Sequence, residues 1–192
     1  MNAEAQPVLR LTTPLMDEAV RRLRVGDQVA LSGAIYTARD AAHKRLVEAL
    51  RAGQRLPINL AGQVIFYVGP APARPGAVIG PAGPTTAGRV DSYTPELLAL
   101  GLKGMIGKGK RSIEVRRAIV EHGAVYFAMV GGAAALAAER IRQMDLIAYG
   151  DLGTEAIYRL VVDELRMVVA NDVVGGDLFE AGRARYRREP GT

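Results

Sequence analysis

The sequence predicts an α/β layered domain with a mixed sheet flanked by helices. Short apolar runs such as QVALSGAIY and QVIFYV alternate with stretches of helical periodicity, the pattern of strands joined by helices. Gly and Pro punctuate most of the junctions between them. Late in the chain, the runs 156–162 and 165–170 flank Asp163 and Glu164 and read as a hairpin, so part of the sheet runs antiparallel. No internal repeat or dividing linker is visible. The 192 residues suffice for one core, and 1–192 is expected to form a single domain.

The stretch 11–27 contains TTP, so Thr12 or Thr13 is expected to cap a short helix with Pro14 in its first turn and Gly26 at its end. Residues 28–36 read as a strand with a break at Gly33. Residues 37–52 form the clearest helix, because Ala41, Leu46, Val47 and Leu50 fall close to one face. Thr37 or Asp40 would cap it and Gly53 would close it. An irregular apolar segment at 57–60 precedes a buried strand at 63–68 and a long Pro-rich loop at 69–83. Residues 92–102 read as a helix with Thr94 as cap and Pro95 at its first position. Strands at 103–106, 124–130 and 145–149 then alternate with helices at 113–122 and 133–142, and a short helix is expected from Asp177.

Composition removes several function classes. The chain has no Cys, so by itself it holds no disulfide, zinc–thiolate site or iron–sulfur cluster. Two His, His43 and His122, make a self-contained metal site an unfavoured reading. The net charge of +5 could suit nucleic acid, but aromatic content is 5% and Trp is absent, so platforms for stacking bases are scarce. Part of the basic excess lies in the tail at 183–192, where Arg183, Arg185, Arg187 and Arg188 read as a solvated end. The N-terminus lacks a signal-peptide core, and the longest apolar run, 124–138, is too short and too rich in Gly and Ala to span a bilayer. The expectation is a soluble, cytoplasmic protein without a nucleic-acid or membrane partner.

Chemistry concentrates in three loops: TARDAAH at 37–43, GPTTAGR at 83–89 and GKGK at 107–110. The middle one lies in GPAGPTTAGRVD (80–91), a stretch with almost nothing to bury, where Gly permits close backbone approach to a ligand. Its simpler reading is a surface turn. Residues 104–110, GMIGKGK, match the spacing of a phosphate loop, but Arg111 stands where the magnesium-binding Ser or Thr belongs. That argues against a nucleotide triphosphatase and leaves Lys108 as a fixed charge for a smaller anion. The first and third loops follow strands and precede helices, so both can face the crevice beyond the carboxyl ends of the sheet. The amides opening the helix after Arg39 would add an anion site. Arg39, Arg89 and Lys108 as cations, Thr85 and Thr86 as hydroxyls and His43 as a titrating group suit a small dicarboxylate. Cations also stabilise the enediolate left when a proton leaves the carbon beside a carboxylate. Loss of a hydroxyl would need a Lewis acid, and a partner would have to bring it.

GAIYTARDAAHKRL (33–46), GPTTAGRVDSYTPELL (83–98) and GLKGMIGKGK (101–110) resemble the C-terminal region of the iron–sulfur-dependent class I fumarases, which in two-subunit forms is a separate β subunit. They are also similar to the β subunit of L(+)-tartrate dehydratase. The resemblance runs from about Leu11 to Ala170, in the family's order. It implies a swivelling β/β/α domain, reversible hydration of fumarate to malate, and an α subunit carrying the four-iron, four-sulfur (4Fe-4S) cluster, in a hetero-oligomer such as α2β2. The open iron of that cluster would bind the substrate hydroxyl and a carboxylate. The resemblance casts Arg39, Arg89 and Lys108 as holders of substrate carboxylates, with Thr86 beside them. It casts Thr85 as the base that takes the C3 proton and His43 as the alternative acid–base group. Asp40 is expected to orient Arg39 or His43. Tartrate is the rival substrate, and a stand-alone anion-binding or regulatory module is the rival class.

Overall fold

The computed structural model describes residues 7–187. Five strands run parallel: β1 (Leu9–Thr12), β2 (Gln28–Thr37), β3 (Val64–Phe66), β4 (Gly104–Gly107) and β5 (Val125–Ala128). β6 (Ile141–Ala148) and β7 (Ile157–Asn171) are antiparallel to each other, and β7 is antiparallel to β2 and β5 as well. The sheet is therefore mixed. β1 pairs with the first part of β2, and β3 takes over at Tyr36 and Thr37. Because β7 pairs with both β2 and β5, strands β2, β3, β4, β5 and β7 close into a five-stranded barrel.

Helices α2 (Asp40–Arg51), α3 (Thr94–Ala99) and α4 (Ile113–His122) link successive parallel strands and pack on the outside of the barrel. Along β3 and its extension, Val64, Phe66 and Val68 join the core inside the barrel, while Ile65 and Tyr67 join the core beneath the helices. Burial on both faces explains the uninterrupted run QVIFYV. On α2, Ala42, Leu46 and Val47 supply the buried face, each large side chain contributing about 1.5–3 kcal/mol on leaving water. On α4, Ser112 Oγ accepts a hydrogen bond from Val115 N at 3.3 Å, and Gly123 ends the helix in the left-handed conformation.

The expected hairpin about Asp163 and Glu164 is instead one continuous strand with a bulge. Leu31 pairs with Leu165 but Gly33 pairs with Val162, so β7 carries an extra residue there. Glu164 sits at φ 52, and its N–H donates to Ser32 Oγ at 3.0 Å. Leu160 and Val162 before the bulge, and Leu165, Met167 and Val169 after it, all join the barrel core. An extra residue shifts the two-residue period as a turn would, which is why the sequence pattern is ambiguous there.

Other boundaries differ as well. Helix α1 (Asp17–Arg22) starts after Met16, and neither Thr12 nor Thr13 caps it; Thr12 ends β1, which the sequence pattern did not reveal. Thr37 donates to Ala156 O at 3.1 Å instead of capping α2, whose capping position is Arg39. Thr94 lies inside α3, with its hydroxyl on Val90 O. Helix α5 (Ala134–Ala138) is short, because Ile141 already pairs with β7. The helix expected from Asp177 is α6 (Leu178–Tyr186), with Asp177 Oδ1 accepting from Phe179 N and Glu180 N. Arg188 and the rest of the basic tail beyond Arg187 lie outside the described residues. Among the described residues no helix is long and apolar enough to cross a membrane.

Candidate functional site

The parallel strands part at their carboxyl ends. Tyr67 N donates to Ile106 O at 2.8 Å, continuing the pairing of β3 with β4. Beyond it, residues 85–87 enter between the two strands as a wedge. Thr85 N donates to Tyr67 O at 2.7 Å, Lys108 N to Thr85 O at 3.0 Å and Ala87 N to Lys108 O at 2.9 Å. Gly107 makes room for the wedge, since a Cβ there would lie 2.8 Å from Tyr67 Cδ2 and 3.1 Å from Ala87 Cβ. The Gly-rich GKGK stretch thus answers a packing need. The GPTTAGR and GKGK loops meet directly, and Thr85 lies between the ends of β3 and β4.

The TARD loop joins them through an ion pair. Arg89 Nη2 pairs with Asp40 Oδ2, so Asp40 supports Arg89 and not Arg39 or His43. Arg39, at the end of β2, lies over Gly69, where a Cβ would sit 2.5 Å from Nη1. Its Nη2 is 3.5 Å from Glu155 Oε1. The expected anion site at the start of α2 is filled by the protein itself, because Glu155 Oε2 accepts from Ala41 N at 2.9 Å. Lys108 is exposed and has no ion-pair partner among the described residues. Its side chain runs toward Gly131 beyond β5, on the rim of a cavity of about 530 Å³ that Met129, Met167, Arg166 and Phe179 also line. Thr86 is exposed; Thr85 is half-buried, and its Oγ1 donates to Tyr67 O at 2.9 Å.

His43 lies underneath these groups, with 0% of its surface exposed. Its Nδ1 is 2.9 Å from Arg39 O, which fixes the ring hydrogen on Nδ1. Nε2 has no partner among the described residues, and the ring meets Tyr67 edge-on at 5.2 Å. Burial pushes its pKa down to about 4; the bond to Arg39 O opposes this and the nearby Arg111 charge adds to it. His43 is therefore neutral at pH 7, and it supports the backbone of Arg39 from below.

Arg111 is the residue that sequence reasoning undervalued. It turns inward, with Nε donating to Asp91 Oδ1 at 2.7 Å, Nη1 to Tyr67 OH at 3.0 Å and Nη2 to Thr94 Oγ1 at 2.8 Å. Its guanidinium carbon lies 5.3 Å from the Tyr67 ring centre and 5.0 Å from that of Tyr126. Burial opposes its charge, and Tyr67 and Asp91 outweigh that opposition. Asp91 also accepts from Ser112 N, so one carboxylate ties the end of the GPTTAGR loop to the start of α4. No local pattern announces a pairing across 20 residues.

The model of the Fumarase C-terminus family matches residues 2–182. This chain belongs to the Fumarase C-terminus family. An Escherichia coli K12 protein named fumarate hydratase class I, anaerobic, is 39% identical over 158 residues, covering 81% of this chain and 29% of its own length. Leishmania major fumarate hydratase 2 is 37% identical over 81% of this chain and 28% of its own length. A Methanocaldococcus jannaschii protein provisionally named L(+)-tartrate dehydratase subunit beta is 35% identical over 172 residues, covering 86% of this chain and 88% of its own length. This chain thus spans under a third of those two fumarate hydratases and nearly the whole of the tartrate dehydratase subunit.

This chain supplies no thiolate for an iron–sulfur cluster. It has no Cys, and among the described residues no group of three or more His, Cys, Asp or Glu is placed to hold a metal ion. Its loops carry three cationic side chains, Arg39, Arg89 and Lys108, and the backbone of Thr85 is clamped on both sides.

Proposed function

We propose that this chain is the β subunit of a two-chain hydro-lyase that interconverts malate and fumarate by reversible hydration. The α subunit carries the 4Fe-4S cluster, the assembly is a cytoplasmic hetero-oligomer such as α2β2, and residues 1–192 act as a single swivelling β/β/α domain. The reading is carried by one observation: the GPTTAGR loop is tied to the GKGK loop through the backbone of Thr85 and to the start of α2 through Arg89 and Asp40, so loops from three separate parts of the chain meet.

In this reading Arg39, Arg89 and Lys108 hold the carboxylates of a dicarboxylate, and Thr86 lies beside them. A guanidinium offers a carboxylate two parallel donors. Thr85 takes the proton from C3 of malate and returns it in the hydration direction. Its hydrogen now points to Tyr67 O, a bond that favours the neutral hydroxyl. To act as a base it must leave that carbonyl, and the surrounding positive charge must favour its alkoxide. His43 has no surface open to a ligand, so its part is to hold Arg39 in place. Departure of the hydroxyl needs a Lewis acid, and in this reading the α subunit supplies it.

The test is anaerobic reconstitution with a Cys-bearing iron–sulfur partner, following fumarate formation from malate. Activity is expected only with both chains present. Hydration of fumarate by this chain alone, or no turnover by the assembled pair, overturns the reading. The second reading, dehydration of L(+)-tartrate, is favoured by the near full-length match to the Methanocaldococcus jannaschii subunit. A strong preference for tartrate over malate by the same complex would select it.

A further inference from the structure

Arg39 faces a carboxylate from a distant part of the chain, Glu155. Glu155 ends the 3-10 turn Gly150–Glu155 between β6 and β7. That turn is pinned on both flanks. On one, Arg45 donates to both oxygens of Asp151 at 2.8 Å and 2.8 Å and lies 4.9 Å over the Tyr149 ring. On the other, Thr37 Oγ1 donates to Ala156 O at 3.1 Å and accepts from Tyr158 N at 2.9 Å. Glu155 is thereby held against the start of α2, and its two oxygens divide their work. Oε2 caps the helix at Ala41 N, and Oε1 faces Arg39 Nη2. The two side chains are only 22% and 25% exposed, so water screens the pair less than it would a surface pair. Thr154 O of the same turn approaches Gly69, the residue over which Arg39 lies, and a Cβ there would meet both.

We propose that Glu155 is a positioning residue, which aims the Arg39 guanidinium at a substrate carboxylate while capping α2. The proposal rests on the assignment of Arg39 as a substrate-holding group. Glu155 does not touch substrate; it orients the group that does. An ordered guanidinium loses less freedom on binding than a mobile one, so the benefit falls on affinity and not on the chemical step.

Glu155→Gln separates the two roles, because an amide oxygen still accepts from Ala41 N but the negative charge facing Arg39 is gone. Two measurements on this variant test the proposal. In the full-length chain, phenylglyoxal modification followed by peptide mass spectrometry should show Arg39 reacting severalfold faster than in the wild type, with Arg89 unchanged. In the two-chain enzyme, KM for malate should rise about fivefold with kcat within about twofold. The melting temperature should match the wild type, whereas Glu155→Ala, which also loses the cap, should lower it. Equal Arg39 modification in Glu155→Gln and wild type overturns the positioning role whatever the substrate is. Faster modification with an unchanged KM instead overturns the assignment of Arg39 to the substrate.

Discussion

Arg111 and Arg89 both leave the carboxyl ends of the parallel strands, yet their surroundings are opposite. The Arg111 side chain is 0% exposed, has an acceptor on each of its three nitrogens and lies near two aromatic rings, Tyr67 and Tyr126. The Arg89 side chain is 57% exposed and meets one carboxylate, Asp40. A guanidinium sealed from solvent in this way offers no open donor to a ligand. Arg111 therefore braces the loops, while Arg89 keeps donors open to solvent.

The largest expected effect would test what lies between these groups. Thr85→Val keeps the backbone clamp but removes the hydroxyl, and should lower turnover of the two-chain enzyme by about a hundred- to ten-thousandfold. Gel filtration should show the subunits still associated. Turnover near the wild-type rate would remove Thr85 as the base. Next comes the brace itself. Arg111→Met leaves the half-buried Asp91 without its guanidinium partner, with Tyr67 OH and Thr94 Oγ1 also losing their donor, and should cost about 3 kcal/mol in urea unfolding of this chain. A variant as stable as the wild type would break the contrast between bracing and binding arginines. Arg89→Ala should invert that pattern. Its exposed pair contributes at most about 1 kcal/mol to stability. Activity should fall further, with kcat/KM for malate about tenfold down or more, measured at matched complex concentrations.

The last effect is a pH dependence. The folded pKa of His43 is depressed to about 4, below the ordinary value of 6.5. As pH falls below the ordinary value, the unfolded chain takes up a proton that the folded chain refuses until near the depressed value. Stability from this residue is therefore full above the ordinary value and declines through the window between the two, by about 1.4 kcal/mol per pH unit. His43→Gln, which can still donate to Arg39 O, should flatten that decline in urea titrations between neutral and mildly acid pH. Parallel curves for the two proteins would break the picture of a neutral histidine sealed beneath the site.

Much of the fold was legible in the sequence where burial is local and periodic. Strand β3 and helices α2 and α4 follow from apolar period and from Gly at their ends, and α4 begins and ends where the pattern says. The bulge at Glu164 was not legible, because a break in the two-residue period reads the same for a turn as for an inserted residue. Within the site, the three loops were visible as Gly-flanked polar clusters, and two contacts now join them: Thr86 bridges to Lys108, and Asp40 pairs with Arg89. Glu155 was not visible, since it sits in an unremarkable turn far along the chain and acts only through Ala41 and Arg39.

By itself the sequence determined which elements alternate and which residue types stand on the loops between them, because both depend on neighbours within a few positions. Only the tertiary structure decided which of those charges are already paired. Barrel closure through β7 brings Glu155 to Arg39, and the wedge between β3 and β4 brings Asp91 to Arg111 and Asp40 to Arg89. Each pair joins residues distant in sequence. Charge attraction acts through space, so these pairs form only once the barrel and its wedge have brought the residues together.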